Sequence, residues 1–176
     1  MEQDHKKILG CIGIDPNTKD KGIGCSGISI INGKQEIVIG SGYKEGSVIF
    51  RSLTTIHPID QILVLVEGQY IPDKAGWLQQ QKILKLSRSA GRWEQIANDY
   101  GIPEDNIKEA YPSAWMKAIV GNLGEAYTKK KMNDLLDQIL KAQFPILQDQ
   151  KLNEHQLHSA GIALYGIRLN HGYIMK

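Results

Sequence analysis

The chain is predicted to be an α/β protein built on one mixed sheet. Three observations predict it: three strand-like segments open the sequence, a later apolar run has the composition of a strand buried on both faces, and helical periodicity fills much of the rest. The order reads βββαβαβααα without internal repeat or low-complexity linker, so residues 1–176 are expected to form a single domain. Hydrophobic residues make up 41% and charged residues 23%, which suits a globular chain and excludes a disordered one. Lys and Arg number 21 against 19 Asp and Glu, a net charge of +2 that selects no class of partner. A nucleic-acid role therefore has to come from where the positive charges sit. No apolar run approaches the roughly 20 residues that cross a bilayer, and the start MEQDHKK has no apolar segment of a secretory leader behind it. Membrane spanning and secretion are not expected. Cys11 and Cys25 form no CxxC pair, so both are read as small core fillers in a reducing cytoplasm, and zinc is not expected.

The elements follow in order. KILGCIGI (7–14) is a buried strand that ends at the turn residues Asp15-Pro16-Asn17. GIGCSGISII (22–31) and QEIVIG (35–40) flank Asn32-Gly33, a strong hairpin dipeptide. SVIFRSLTTI (47–56) reads as a helix against its β-branched content, and QILVLVEG (61–68) as the central strand. From residue 75 to 100, Ile83, Leu86, Ala90, Trp93, Ala97 and Tyr100 recur at three- and four-residue spacing, one face of a long amphipathic helix. NIKEAYP (106–112) is a short strand, PSAWMKAIVG a helix opened by Pro112, and KKKMNDLLDQILKAQF a second helix. The last helix, 152–169, places Leu157, Ala160, Leu164 and Ile167 on one face.

Two carboxylates end strands: Asp15 the first, Glu67 the central one. If those strands are neighbours, both side chains project into one cleft, and hard oxygen ligands on rigid elements suit Mg²⁺ or Mn²⁺. The plain alternative is a turn-capping Asp15 and a Glu67 that merely ends a strand. Between residues 74 and 92 stand five basic residues, Lys74, Lys82, Lys85, Arg88 and Arg92, with no acid among them. The last four fall near one line along the helix, which suits a phosphate backbone as well as a solvated face. Lys117 and the run Lys129-Lys130-Lys131 form a second positive group. Positive charge in a helix's first turn opposes the macrodipole, which hints at another purpose for that run.

The segments GIDPNTKDKG, VEGQYIPDK, LKLSRSAGRW, YPSAWMKAIVG and HSAGIALYG, in this order, resemble the RuvC family of Holliday-junction resolvases, most closely its phage-like branch. The resemblance spans nearly the whole chain. It implies an RNase H-like fold, a homodimer, branched DNA as substrate, two Mg²⁺ (or Mn²⁺) ions per site, and the cytoplasm of a bacterium or a phage-infected cell. Asp15 of GIDP matches the family's first carboxylate, taken as the bridge between the ions, and Glu67 of VEGQ its second. Tyr70 matches an aromatic residue that enters the junction and stacks on a base, an interaction tolerant of any base. Lys117 and Lys129 match lysines near the scissile phosphate, where a cation offsets charge growing in the transition state. The family's last helix supplies further acids in a D/H-x-x-D arrangement, whereas this chain reads Glu154-His155-Gln156-Leu157-His158-Ser159-Ala160. His155 and His158 thus occupy both matched positions, with Glu154 one turn away as a partial replacement for the missing acid. Imidazole suits Mn²⁺ better than hard Mg²⁺.

Two other function classes fit. A chain whose histidines disable metal binding would recognise branched DNA without cutting it. An actin-like ATPase shares the superfamily fold and opens with a similar Gly-Ile-Asp turn, but it closes nucleotide between two copies of the fold, and 176 residues supply one.

Overall fold

A computed structural model of the chain describes residues 7–68, 76–122 and 128–171. The strands are β1 (Gly10–Asp15), β2 (Gly24–Ile31), β3 (Lys34–Ser41), β4 (Ile62–Glu67) and β5 (Ile107–Ala110). The helices are α1 (Gly42–Ile56), α2 (Trp77–Asp99), α3 (Pro112–Val120), α4 (Lys129–Gln143) and α5 (Glu154–Asn170). The sheet order is β3-β2-β1-β4-β5. The first three strands pair antiparallel, while β1–β4 and β4–β5 pair parallel, so the sheet is mixed.

Local chemistry explains most of these boundaries. Asn32 and Gly33 take positive φ angles of 51° and 77°, as the tight turn between twisted antiparallel strands requires. Helix α1 starts five residues before the sequence expectation, at Gly42. Two carboxylates hold its first turn in place: Asp20 Oδ1 accepts the Tyr43 amide at 2.8 Å, and Glu45 Oε2 accepts the Ser41 amide at 2.7 Å. The capping carboxylate of Asp20 lies far back in the chain, beyond reach of a local sequence pattern.

Each face of the sheet carries its own core. Ile12, Ile14, Val64 and Val66 point toward α1 and α2, around Phe50 and Trp93. Cys11, Leu63 and Leu65 point the other way, toward α3, α4 and α5. Successive side chains alternate faces along a strand, so Asp15 and Glu67, in phase with Cys11 and Leu65, belong to the α5 face. Cys11 and Cys25 are fully buried free thiols, and burial pushes both pKa values up.

Helix α5 differs from the amphipathic helix the sequence predicts. Leu157, Ala160, Leu164 and Ile167 are buried as expected, but so are His158, Ser159, Gly161, Ile162, Ala163 and Gly166. The helix is packed between the sheet and the α3–α4 pair, so it is covered nearly all round. Its approach to the sheet depends on two glycines. A Cβ on Gly13 would lie 2.2 Å from the Ser159 carbonyl oxygen, and one on Gly24 would lie 1.9 Å from that of His155. Only residues without a side chain permit that contact, and it delivers the start of α5 to the end of β1.

Candidate metal centre and basic groove

The parallel ladder of β1 and β4 runs from Gly10↔Ile62 to Ile14↔Val66. One step further, Asp15 and Glu67 leave the sheet side by side on the α5 face. This is the neighbour relation on which the sequence reading of the two carboxylates depended. Both side chains are nearly buried, at 4% and 8% exposure, and His158 joins them at 6%. One ligand atom from each of Asp15, Glu67 and His158 lies within 4.8 Å of the other two.

Each of these groups is held by a neighbour. Trp115 on α3 donates its Nε1–H to Glu67 Oε1 at 3.1 Å and meets the His158 ring edge-on at 5.5 Å. His155 Nδ1 lies 2.7 Å from Asp15 Oδ2, and its Nε2 lies 2.9 Å from the side-chain nitrogen of Asn17. His158 Nδ1 faces the same Asp15 oxygen at 3.5 Å, while its Nε2 lies 3.1 Å from Asn133 Oδ1 on α4. The N-terminus of α5 is fixed by a capping box. Asn153 accepts the Gln156 amide, and Gln156 accepts the Asn153 amide while reaching Ser41 with its side-chain nitrogen at 3.1 Å.

The electrostatics set the two carboxylates apart. Burial pushes Glu67 up to about 8, reinforced by the charge of Asp15, with Trp115 and Lys129 acting in the opposite direction. Burial also works against ionised Asp15, but the imidazoles of His155 and His158 beside it, His155 foremost, outweigh it and hold the pKa below the usual value. The Asp15 hydrogen bond in turn raises His155. A site with one firmly ionised carboxylate and one held protonated for want of compensation is short of positive charge, which a divalent cation supplies. The donor set, two carboxylate oxygens and one imidazole nitrogen, fits such an ion, and the nitrogen makes Mn²⁺ the better match.

These residues floor a cleft of about 540 Å³ that is also lined by Asn17, Thr18, Lys82, Met116, Lys129, Glu154 and His155. Lys129 Nζ pairs with Glu154 Oε1 at 2.5 Å across its mouth. The ammonium lowers the Glu154 pKa. Glu154 thus faces a lysine, while His158 faces the carboxylates. Beside the cleft, and sharing Asn17 and Thr18 with it, lies a cavity of about 450 Å³ lined by Lys85, Arg88, Arg92, Tyr43 and Ser89. The Arg92 guanidinium sits 4.0 Å above the Tyr43 ring. The basic line on α2 therefore runs from the cleft, at Lys82, into the adjoining cavity.

Lys117, Lys130 and Lys131 are exposed and are not among the residues lining the cleft. Tyr70 and Lys74 lie outside the described residues. Sequence reasoning missed Asn17, Trp115 and Asn133. Asn17 follows Asp15 in the GIDPN turn, which was the available signal; nothing local marks the other two.

No family model matches the sequence, and no curated protein matches it. Among solved structures, T. thermophilus RuvC in complex with Holliday junction substrate is similar with a TM-score of 0.61 at 15% identity, over 93% of this chain and 97% of that one. The Fowlpox virus resolvase in complex with substrate Holliday junction DNA aligns with a TM-score of 0.42 at 13% identity, over 90% of this chain and 99% of that one. The first likeness shows the fold: this chain has the architecture of RuvC, the mixed sheet of an RNase H-like protein.

Proposed function

We propose that this chain is a metal-dependent, structure-selective DNA endonuclease that resolves four-way junctions by phosphodiester hydrolysis, acting as a homodimeric single-domain nuclease in the cytoplasm of a bacterium or phage-infected cell. The observation that carries the reading is the cluster of Asp15, Glu67 and His158 at neighbouring strand ends, inside a cleft that continues into a basic groove. The RuvC-like fold supports it.

Asp15, Glu67 and His158 would hold the divalent metal, with Asp15, the more firmly ionised carboxylate, as its principal charged ligand. A divalent metal held there would supply Lewis acidity for activating a water and for stabilising the leaving oxygen. The protein's own residues do the rest. Trp115 keeps Glu67 directed into the cleft, and His155 with Asn17 keeps Asp15 directed there. Lys129 exchanges Glu154 for the entering phosphate and offsets the charge that grows on it, and Lys117 is assigned to the same strand. Lys82, Lys85, Arg88 and Arg92 track the backbone leading away from the cleft, with Lys74, Lys130 and Lys131 as further backbone contacts and Tyr70 as a stacking residue.

The test is cleavage of a synthetic four-way junction in Mg²⁺ and in Mn²⁺, beside linear duplex of the same sequence. Junction-selective nicking in either metal supports the proposal. Equal affinity for junction and duplex with no cleavage in either metal overturns it. Histidine at position 158 favours a second reading, a branched-DNA binder that does not cut, and selective binding without nicking identifies it.

A further inference from the structure

Two histidines one turn apart on α5 face the same Asp15 oxygen, yet their neighbours place the imidazole proton on opposite nitrogens. His155 Nε2 meets the amide nitrogen of Asn17, which can only donate. The proton of neutral His155 is therefore on Nδ1 and points to Asp15 at 2.7 Å. The Asn17 amide is oriented in turn, because its oxygen accepts the Lys19 backbone N–H at 3.3 Å. His158 Nε2 meets the oxygen of Asn133, which can only accept, so its proton sits on Nε2 and its Nδ1 carries a lone pair. That lone pair is the atom that faces Asp15 at 3.5 Å. Two ligand atoms at right angles on one small divalent ion, each at about 2.1 Å, stand about 3 Å apart, so the His158–Asp15 gap is close to what a shared ion needs. His155 has no free nitrogen to offer.

We propose that Asn133 is a positioning residue that makes His158 a metal ligand by fixing its Nε2–H tautomer, and that His155 orients Asp15 without binding metal itself. The proposal rests on reading Asp15, Glu67 and His158 as the metal centre. A ligating histidine is commonly held by a hydrogen bond from its other ring N–H to an oxygen, and loss of that partner costs about 10- to 100-fold in metal affinity. Asn133 is suited to the task by its place: one turn after Lys129, which lines the cleft, it reaches from α4 to a ring that is itself buried. Leu in its place would leave the His158 Nε2–H without an acceptor. The proton would then move to Nδ1, toward Asp15, and occupy the direction an ion needs.

The experiment has a metal-free and a metal-loaded arm, both on the full chain. In the first, long-range ¹H–¹⁵N correlation of labelled histidine at about pH 8.5 reads each tautomer directly. The parent is expected to show His158 protonated on Nε2 and His155 on Nδ1. Asn133→Leu is expected to move His158 to Nδ1–H, whereas Asn133→Asp, which keeps the acceptor, is expected to leave it on Nε2. In the second arm, Mn²⁺ titration followed by electron paramagnetic resonance should show about 10- to 100-fold weaker binding in Asn133→Leu and parent-like or tighter binding in Asn133→Asp. His158 protonated on Nδ1 in the parent overturns the proposal without reference to any variant. So does a shifted tautomer in Asn133→Leu with unchanged Mn²⁺ affinity. Failure of the metal-centre reading is distinct: the parent and Asp15→Asn would then bind Mn²⁺ equally weakly, whatever the tautomers show.

Discussion

Helices α2 and α5 both border the cleft, and they are built in opposite ways. Helix α5 is 17 residues long, capped by reciprocal hydrogen bonds and buried nearly all round. Helix α2 is 23 residues long, begins at Trp77 after an N-cap glycine, Gly76, that offers no side-chain cap, and buries only Ile83, Ser89, Trp93 and Ala97. Its N-terminal Trp77 and Leu78 are largely exposed, at 71% and 83%. The difference separates two jobs. Ligand atoms must be placed to within a fraction of an ångström, so they come from strand ends and a helix locked on every side. Charges that follow a phosphate backbone act through longer-range attraction, so an exposed row on one helix face suffices.

The comparison breaks most sharply at the carboxylates. Asp15→Asn or Glu67→Gln is expected to cut junction cleavage more than about a hundredfold while leaving junction affinity nearly intact, since the ligands contribute little to backbone binding. A nuclease assay and a gel-shift titration on the same preparations check this. The converse holds on α2. Replacing Lys82, Lys85, Arg88 and Arg92 together by Ala should weaken binding and flatten the salt dependence of log K by about 0.9 per lost contact, and change the melting temperature by no more than loss of the Arg92–Tyr43 contact brings. Unchanged salt dependence would make the row an ordinary solvated face.

Both helices were legible in the sequence, but unequally. The α2 stripe could be read directly because its meaning lies in helical spacing alone. The strand-end carboxylates were legible too: Asp15 and Glu67 close apolar runs, and strand alternation puts them on one face once β1 and β4 are neighbours. What holds them was not legible. Trp115 reaches Glu67 across 48 residues, and His155 reaches Asp15 across 140, pairings that only the folded chain creates. Burial of α5 was under-read because Ser, Ala and Gly weaken its periodicity, although their small size is what allows close packing on both sides.

A smaller effect sharpens the chemical side. His158→Asp is expected to raise Mg²⁺-supported cleavage several-fold and narrow the preference for Mn²⁺, because a carboxylate supplies both charge and a hard oxygen. Rates for parent and variant in each metal decide it, and an unchanged metal ratio would show that the imidazole does not set the preference.

The smallest expected effect is on stability against pH. Burial holds folded Glu67 protonated up to about pH 8, so the folded state binds a proton that the unfolded chain releases at lower pH. That contribution is complete below the ordinary carboxylate pKa and is lost as pH rises toward 8. The raised pKa of His155 works in the same direction, while the lowered pKa of Asp15 acts only in acid. Metal-free protein should therefore melt a few degrees lower at about pH 8.5 than at about pH 6.5, and Glu67→Gln should remove most of the difference. Calorimetry with a chelator present makes the measurement.

Gly13 and Gly24 have no side chain that could bind a metal, yet the distance between the sheet and the histidines of α5 is set by the side chains these two positions lack. An alanine at either would score in a functional screen like the loss of a metal ligand, and its cause would be invisible to anyone looking only for groups that react. Mutational maps of this protein should therefore show a second tier of intolerant positions, inert in chemistry and placed beneath the helix. The tolerance of each would follow the clearance it provides, so in such a map the steric floor of the site would be drawn as clearly as its ligands.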